Sequence, residues 1–395
     1  MNILIVHNYY KYPGGEDSVV ENEKRMLEKH GHNVILYTRD NKETAEYRGI
    51  TGKTRLALEA VYSGKTYEEI FSIIRNEKIR IVHVHNTLSL ISPAVYYAAK
   101  SLGVPVVQTI HNFRLLCLQA SFYRKGAVCE RCLKKGMGCG VLRRCYRHSF
   151  FQSLVCMTSI KFNSLLNIYK YPYYICTTQF NEHKLAGAKF INKEKIFIKP
   201  HFIPSTENQK ELLSIPKSDY YIYVGRLEEI KGIMVLINAW KLMGDKAPKL
   251  KICGTGELED AVKQEIEDKR ICNIEMLGFV EHDRVRQLMA AARALIFPSQ
   301  VYETFGMVIA ESYSVGTPVI ASRLGNAGLM VKENETGFRF IHYGPAFLKE
   351  AVEKMEALSE EERKEMNEKA FQVYFNNFTE EKNYMRLMEI YKSIS

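Results

Sequence analysis

Short apolar runs alternate with helical stretches along almost the whole chain, and this alternation limits the possible folds more than any other feature of the sequence. Residues 3 to 7, "ILIVH", are too short for a buried helix and rich in β-branched residues, so they predict a strand. A loop with Pro13, Gly14 and Gly15 follows, then a helix from about Asp17 to Lys29 and a second strand in "NVILY". The same order recurs in "IRIVHVH", "SPAVYYAAKSLG" and "PVVQTIH". A second set runs through "YYIYVG" (220–225), "LKICG" (250–254), "IEMLGFV" (274–280), "ARALIFPS" (292–299) and "TPVIAS" (317–322). Uninterrupted apolar strands separated by helices predict an α/β fold of parallel, doubly wound sheets. Two sets predict two Rossmann-like domains, 1–204 and 219–378, joined by a polar linker at 205–218 with a proline near each end.

Composition narrows the class. With 395 residues and 46% hydrophobic residues, the chain can build two cores and is not a disordered protein. No run reaches the roughly 18 apolar residues of a membrane span, and "MNILIVHNYY" lacks the pattern of a signal peptide, so a cytoplasmic protein is expected. Nine cysteines in such a chain point to reduced thiols or a metal site rather than disulfides. The net charge of +10 is concentrated: between Arg114 and Arg147 nine Lys and Arg stand against Glu130 alone.

The stretch "YETFGMVIAE", 302–311, carries Glu303 and Glu311 eight positions apart. On one continuous helix they would stand roughly 80° apart, so a loop followed by a helix from near Gly306 fits better. The first amides of that helix would form an anion site, with Glu311 one turn further in. Glu311 could equally be solvated and Glu303 a partner of the helix dipole. In "VGRLEEIKG", 224–232, Arg226 and Lys231 flank a loop at the carboxyl end of a strand, where open α/β sheets bind ligands. Together they could neutralise a diphosphate, although Arg226 could instead pair with Glu228 or Glu229. No GxGxxG follows the first strand, and "GTGELED" at 254–260 lacks the third glycine, so no dinucleotide fingerprint is present.

These stretches, with "LGFV", "ARALIFPSQVYETFGMVIAESYSVGTPVIAS" and "ETGF" in this order, resemble the retaining glycosyltransferases of family four. The resemblance spans almost the whole chain. It implies the glycosyltransferase B fold, two Rossmann-like domains facing across a cleft, with a last helix from about 379 to 395 completing the first domain. It also implies a nucleoside-diphosphate sugar donor, UDP- or GDP-linked, and no catalytic divalent metal. By resemblance, Glu311 would bind the ribose, Arg226 and Lys231 the diphosphate, and Glu303 the sugar. Amides around Phe305, Gly306, Met307 and Val308 would meet sugar and phosphate oxygens, and main chain near Phe279 and Val280 would read the base. Gly254, Gly14 and Gly15 would lie close to the donor, and His111 would face the transferred sugar. Two positions depart from the pattern: Asn112 stands where many relatives carry an acid, and His201 where many carry Asn. A sugar-nucleotide epimerase on the same fold is the alternative enzyme. A zinc-containing nucleic-acid-binding protein is a further alternative, but the aromatics near the basic segment match no nucleic-acid motif, so no nucleic acid is expected.

The basic insert, 114–147, holds Cys117, Cys129, Cys132, Cys139 and Cys145. Cys129 and Cys132 form a CxxC, and with Cys117 and Cys145 they could build a closed structural zinc site. Reduced, partly buried cysteines are the equal alternative. If zinc is present it folds the insert, since nothing else in so loop-rich a stretch is expected to form a core. The basic charge and the following "SFFQSLVCMTSIKFNSLLNIYKYPYY" suit an anionic membrane surface beside a glycan or lipid-linked acceptor, as the resemblance implies for surface-polysaccharide enzymes.

Overall fold

A computed structural model describes residues 1–10, 14–206, 208–268, 271 and 273–395, so Pro13 lies outside the described residues. The chain divides into two compact units. One comprises residues 1–122, 129–201 and 383–395, and the other 123–128 and 202–382.

The first unit is built on a six-stranded parallel sheet. Its spatial order is Asn33–Asp40, Asn2–Tyr9, Ile81–Asn86, Val106–Ile110, Tyr173–Cys176 and Ile196–Ile198. Ile3, Leu4, Ile5 and Val6 are fully buried, as expected for a strand covered by helices on both faces. Serine and threonine start the helices between strands: Ser63 Oγ accepts from Thr66 N, and Thr178 Oγ1 accepts from Asn181 N. Each such cap is worth about 1 kcal/mol. The strand order reverses between Asn2–Tyr9 and Ile81–Asn86, which brings the loops after them to the place where such sheets bind ligands.

The second unit repeats the plan with the order Ile274–Gly278, Lys249–Cys253, Tyr220–Val224, Ala294–Phe297, Val319–Ser322 and Gly337–Phe340. Side chains alternate between its faces. Tyr220, Ile222, Leu295 and Phe297 join one apolar cluster, while Tyr221, Tyr223, Ala294 and Ile296 join another with the fully buried Trp240.

Three boundaries differ from the sequence reading. The stretch read as linker contains the helix Gln209–Ser214, whose Leu212 is buried in the second unit's core and whose Gln209 Nε2 donates to Ser314 O at 2.5 Å. An apolar side chain spaced along a short polar stretch gives no periodic signal, and so the helix was not legible. Residues 123–128 of the insert form a two-stranded hairpin that groups with the second unit, where Tyr123 OH donates to Glu229 Oε1 at 2.8 Å. The last helix, Glu380–Ile394, joins the first unit from Asn383 onward. There Asn383 Oδ1 accepts from Lys199 Nζ at 2.9 Å, and Tyr391 OH stands 2.7 Å from His83 Nδ1. Among the described residues no helix is long and apolar enough to cross a membrane.

Candidate functional site

In the second unit the strand order reverses between Tyr220–Val224 and Ala294–Phe297, which are hydrogen-bonded neighbours. The loops leaving their carboxyl ends meet there, with Gln300 N donating to Ile230 O at 2.8 Å. Across this junction Lys231 Nζ stands 2.8 Å from Glu303 Oε1, and Ser299 Oγ donates to the same oxygen at 2.7 Å. Burial alone would raise the Glu303 carboxyl, but Lys231 and Ser299 outweigh it and hold it below the usual carboxylate range. Arg226 turns instead to Glu228, 2.6 Å away, with its side chain 66% exposed. Lys231 and Glu303 are therefore brought together, and Arg226 remains an exposed cation at the loop's edge.

The neighbouring loop closes in on the same place. Leu227 N donates to Thr255 O at 2.9 Å, and at Gly254, φ +140°, a Cβ would stand 1.9 Å from Gly225 O. Only glycine permits that approach. The helix expected after "YETF" is Met307–Ser314, with Gly306 at its N-cap in the left-handed region, φ +94°. Gly306 O takes the amides of Ile309 and Ala310, so the amides of Met307 and Val308 precede the helical ladder. Phe305 is buried, and its carbonyl accepts from Asn326 Nδ2. Glu311 lies one turn inside, with its carboxyl raised by burial against the opposing pull of His282 and Arg286 from the helix His282–Ala291. Val280 packs on the core, whereas Phe279 is 76% exposed. His282, Arg286 and Asn326 were not singled out from the sequence, because each acts on a site residue only through tertiary contact; Ser299 was missed although it stands only four residues before Glu303.

The first unit gathers a polar network at the carboxyl ends of its strands. Asp17 accepts from Gly14 N at 2.9 Å and pairs with His7 Nε2 at 2.7 Å, which fixes the start of the helix Gly15–Lys29. A Cβ at Gly14 or Gly15 would meet nothing within 4 Å, so packing inside the protein does not demand glycine at either position. His111 follows the strand Val106–Ile110; its Nε2 is 2.9 Å from His85 Nδ1, and its ring stacks on His201 at 5.1 Å. Burial and the neighbouring histidines His201 and His85 keep His111 neutral, well below the ordinary histidine range. His201, the second departure from the family pattern, thus packs on the first unit's candidate residue.

The other departure has a spatial counterpart. Asn112 Nδ2 donates to Tyr10 OH at 3.3 Å, and Tyr10 OH donates to Glu16 Oε2 at 3.0 Å. Burial pushes the Glu16 carboxyl up to about 8 despite the opposing pull of Tyr10, Arg114 and Asn112. An acid is therefore present beside position 112, contributed by the first turn of the helix Gly15–Lys29. His85, His111, Asn112 and Arg114 line a cavity with Tyr96 and Gln108.

Several cysteines of the insert lie close together. Cys132 hydrogen-bonds to Cys117, and the interaction draws the Cys117 thiol down to about 6 and raises that of Cys132. Cys139, outside the expected set, lies 3.9 Å from Cys132, Sγ to Sγ. Among the described residues, three ligating groups within 4.8 Å of one another occur at Glu23, His83 and His85, not at Cys117, Cys129, Cys132 and Cys145. The insert also shares an apolar core with the helix that follows it, which the sequence reading did not expect. Leu118, Met137 and Val141 pack against Cys156 and Ile160 of the helix Phe150–Leu165, with Cys145 beside them. The covering helix lies outside the insert, so the insert alone did not reveal this core.

Comparison with known proteins agrees with this architecture. The model for Glycosyltransferase Family 4 matches residues 13–204, and that for Glycosyl transferases group 1 matches residues 204–373. The chain belongs to the glycosyltransferases of the family-four type, with the two-domain glycosyltransferase B fold. It is 24% identical over 400 residues to an uncharacterized glycosyltransferase of Methanocaldococcus jannaschii, covering 100% of this chain and 99% of that one. It is 25% identical to the gpi3 subunit of the phosphatidylinositol N-acetylglucosaminyltransferase of Schizosaccharomyces pombe, over 84% of this chain and 67% of that protein. Among solved structures, Anabaena HepE in complex with UDP superposes with a TM-score of 0.68 at 15% identity, over 100% of both chains.

Proposed function

We propose that the protein transfers a sugar from a nucleoside-diphosphate sugar to a lipid-linked glycan acceptor with retention of configuration. The observation that carries this reading is the meeting of Lys231, Glu303 and the Gly306-capped helix where the second sheet reverses its strand order. A diphosphate placed there would meet the helix's leading amides and two cations, Arg226 and Lys231. Glu303, ionised and oriented by Ser299, would accept from a sugar hydroxyl, and Glu311 from the ribose. The leaving diphosphate's charge is then stabilised by protein groups, without need of a catalytic divalent metal. By the family resemblance, Gly14, Gly15 and His111 are the first unit's candidate groups for a sugar ligand. UDP is the first candidate nucleotide, since the similar HepE was solved with it.

A membrane surface is supported by the helix Phe150–Leu165, where Phe151, Phe162 and Leu165 share one face and are 76%, 46% and 80% exposed. For a structural zinc in the insert, the 3.9 Å between Cys132 and Cys139 is close to the spacing of two thiolates on one tetrahedral zinc with Zn–S bonds of about 2.3 Å.

The test is a thermal-shift panel of nucleoside diphosphates and their sugars on the wild type and Glu311→Ala. A ligand at about a hundred times its Kd stabilises by roughly 2.7 kcal/mol. One nucleotide class should stabilise the wild type and not the variant. Absence of any shift at millimolar nucleotide would overturn the donor site.

A further inference from the structure

Behind His111 in the first unit lies a buried chain of groups that the donor reading does not use. Glu23, on the helix Gly15–Lys29, is 1% exposed, and its Oε2 takes Lys199 Nζ at 3.0 Å. Its other oxygen, Oε1, lies 2.8 Å from His83 Nδ1 and 3.5 Å from His85 Nε2. Glu23 Oε1 and His85 Nε2 are both buried and lack a hydrogen bond of good geometry, and they face each other. On the far side of the same ring, His85 Nδ1 stands 2.9 Å from His111 Nε2.

We propose that Glu23 and His85 are positioning residues that lock His111 in the tautomer with its proton on Nε2 and its lone pair on Nδ1. Each contact in the chain admits one donor. Lys199 balances the Glu23 carboxylate, so Glu23 Oε1 is an acceptor and His85 must present Nε2–H to it. His85 is 2% exposed and beside His83, conditions that disfavour a second proton on its ring. With its single proton on Nε2, its Nδ1 is a lone pair, and the atom 2.9 Å away, His111 Nε2, must be N–H. The buried Lys199 also argues against a cation held by Glu23, His83 and His85, because its ammonium already supplies positive charge to that carboxylate. Resting on the donor reading, the consequence is that His111 carries no proton on Nδ1 to give to a bound sugar.

The test is a set of long-range ¹H–¹⁵N correlation spectra of the full chain labelled with ¹⁵N-histidine, with His111→Asn for assignment. In the wild type, His111 should show a protonated Nε2 and a bare Nδ1. In Glu23→Gln, Lys199 holds the amide oxygen and the NH₂ group has one hydrogen for His83 Nδ1 and one for His85 Nε2, so the protons of His85 and His111 should both move to Nδ1. Should Glu23→Gln fail to fold, the wild-type spectrum decides alone. A wild-type His111 protonated on Nδ1, or a His111 tautomer unchanged in folded Glu23→Gln, overturns the proposal. A shift of the His83 and His85 resonances on adding Zn²⁺ does so too, by making the cluster a cation site. None of these readings needs a nucleotide, so the chain can stand even if the donor site fails.

Discussion

Lys231 and Glu303 lie 72 residues apart in sequence and 2.8 Å apart in space. Their pairing changes what each substitution should do. Lys231→Met leaves a largely buried carboxylate with Ser299 as its hydrogen-bond partner among the described residues and the more distant Arg226, which should destabilise the second unit by about 2 kcal/mol. Glu303→Gln added to it should recover part of that loss, because the uncompensated charge is gone. Urea unfolding of both single variants and the double variant measures this coupling; strict additivity would mean the pair is not formed in solution. Glu16 gives a different residue-scale expectation. Its carboxyl is raised to about 8 in the folded chain, so the folded state binds the proton more tightly than the unfolded state does. Stability from this group is full below the ordinary carboxyl range and is lost as pH rises through about 8. Glu16→Gln should flatten that part of the melting profile, and an unchanged slope would place Glu16 in contact with water. Neither feature was legible in the sequence. Motif spacing named Glu303 and Lys231 separately, and nothing links Glu16 to Asn112 before the chain folds.

At the scale of elements, the loop-then-helix reading of "YETFGMVIAE" matches the structure because its signals are local: a glycine able to adopt φ +94° and an apolar run behind it. Alanine at Gly306 would have to adopt the left-handed region, with its Cβ 3.2 Å from Ile309 Cδ1. Gly306→Ala should therefore lower stability by about 1–2 kcal/mol and weaken nucleotide binding beyond that, since it moves the leading amides. Calorimetric melting with and without UDP separates the two effects. The helix Phe150–Leu165 offers a second test. Phe151→Ser with Leu165→Ser removes exposed apolar area, so it should leave the melting temperature nearly unchanged and reduce sedimentation with anionic vesicles at physiological salt. Equal sedimentation of variant and wild type would remove this face from the membrane reading. The helix itself was legible as an apolar stretch. That it also supplies part of the insert's core was not, because Cys156 and Ile160 meet Leu118 and Val141 only in the fold.

For the whole molecule, two parallel sheets were readable from the recurrence of short apolar runs, since strands buried on both faces need no partner information to be recognised. Strand order was not readable, and it is strand order that brings the loops at 225–232 and 298–306 together. The division of the chain was legible only in outline. The excursion of 123–128 and the return of 383–395 depend on contacts such as Tyr123 with Glu229 and Asn383 with Lys199, which no composition shift announces. The junction of those two loops in the second unit is proposed to bind a nucleoside diphosphate. Isothermal titration of the full chain with UDP and with GDP, on the wild type and on Glu311→Ala, tests it most directly. The expected result is one saturable site for one of the two nucleotides, weakened at least tenfold, about 1.4 kcal/mol, in the variant. Binding of equal strength to wild type and variant, or no binding of either nucleotide, would contradict it.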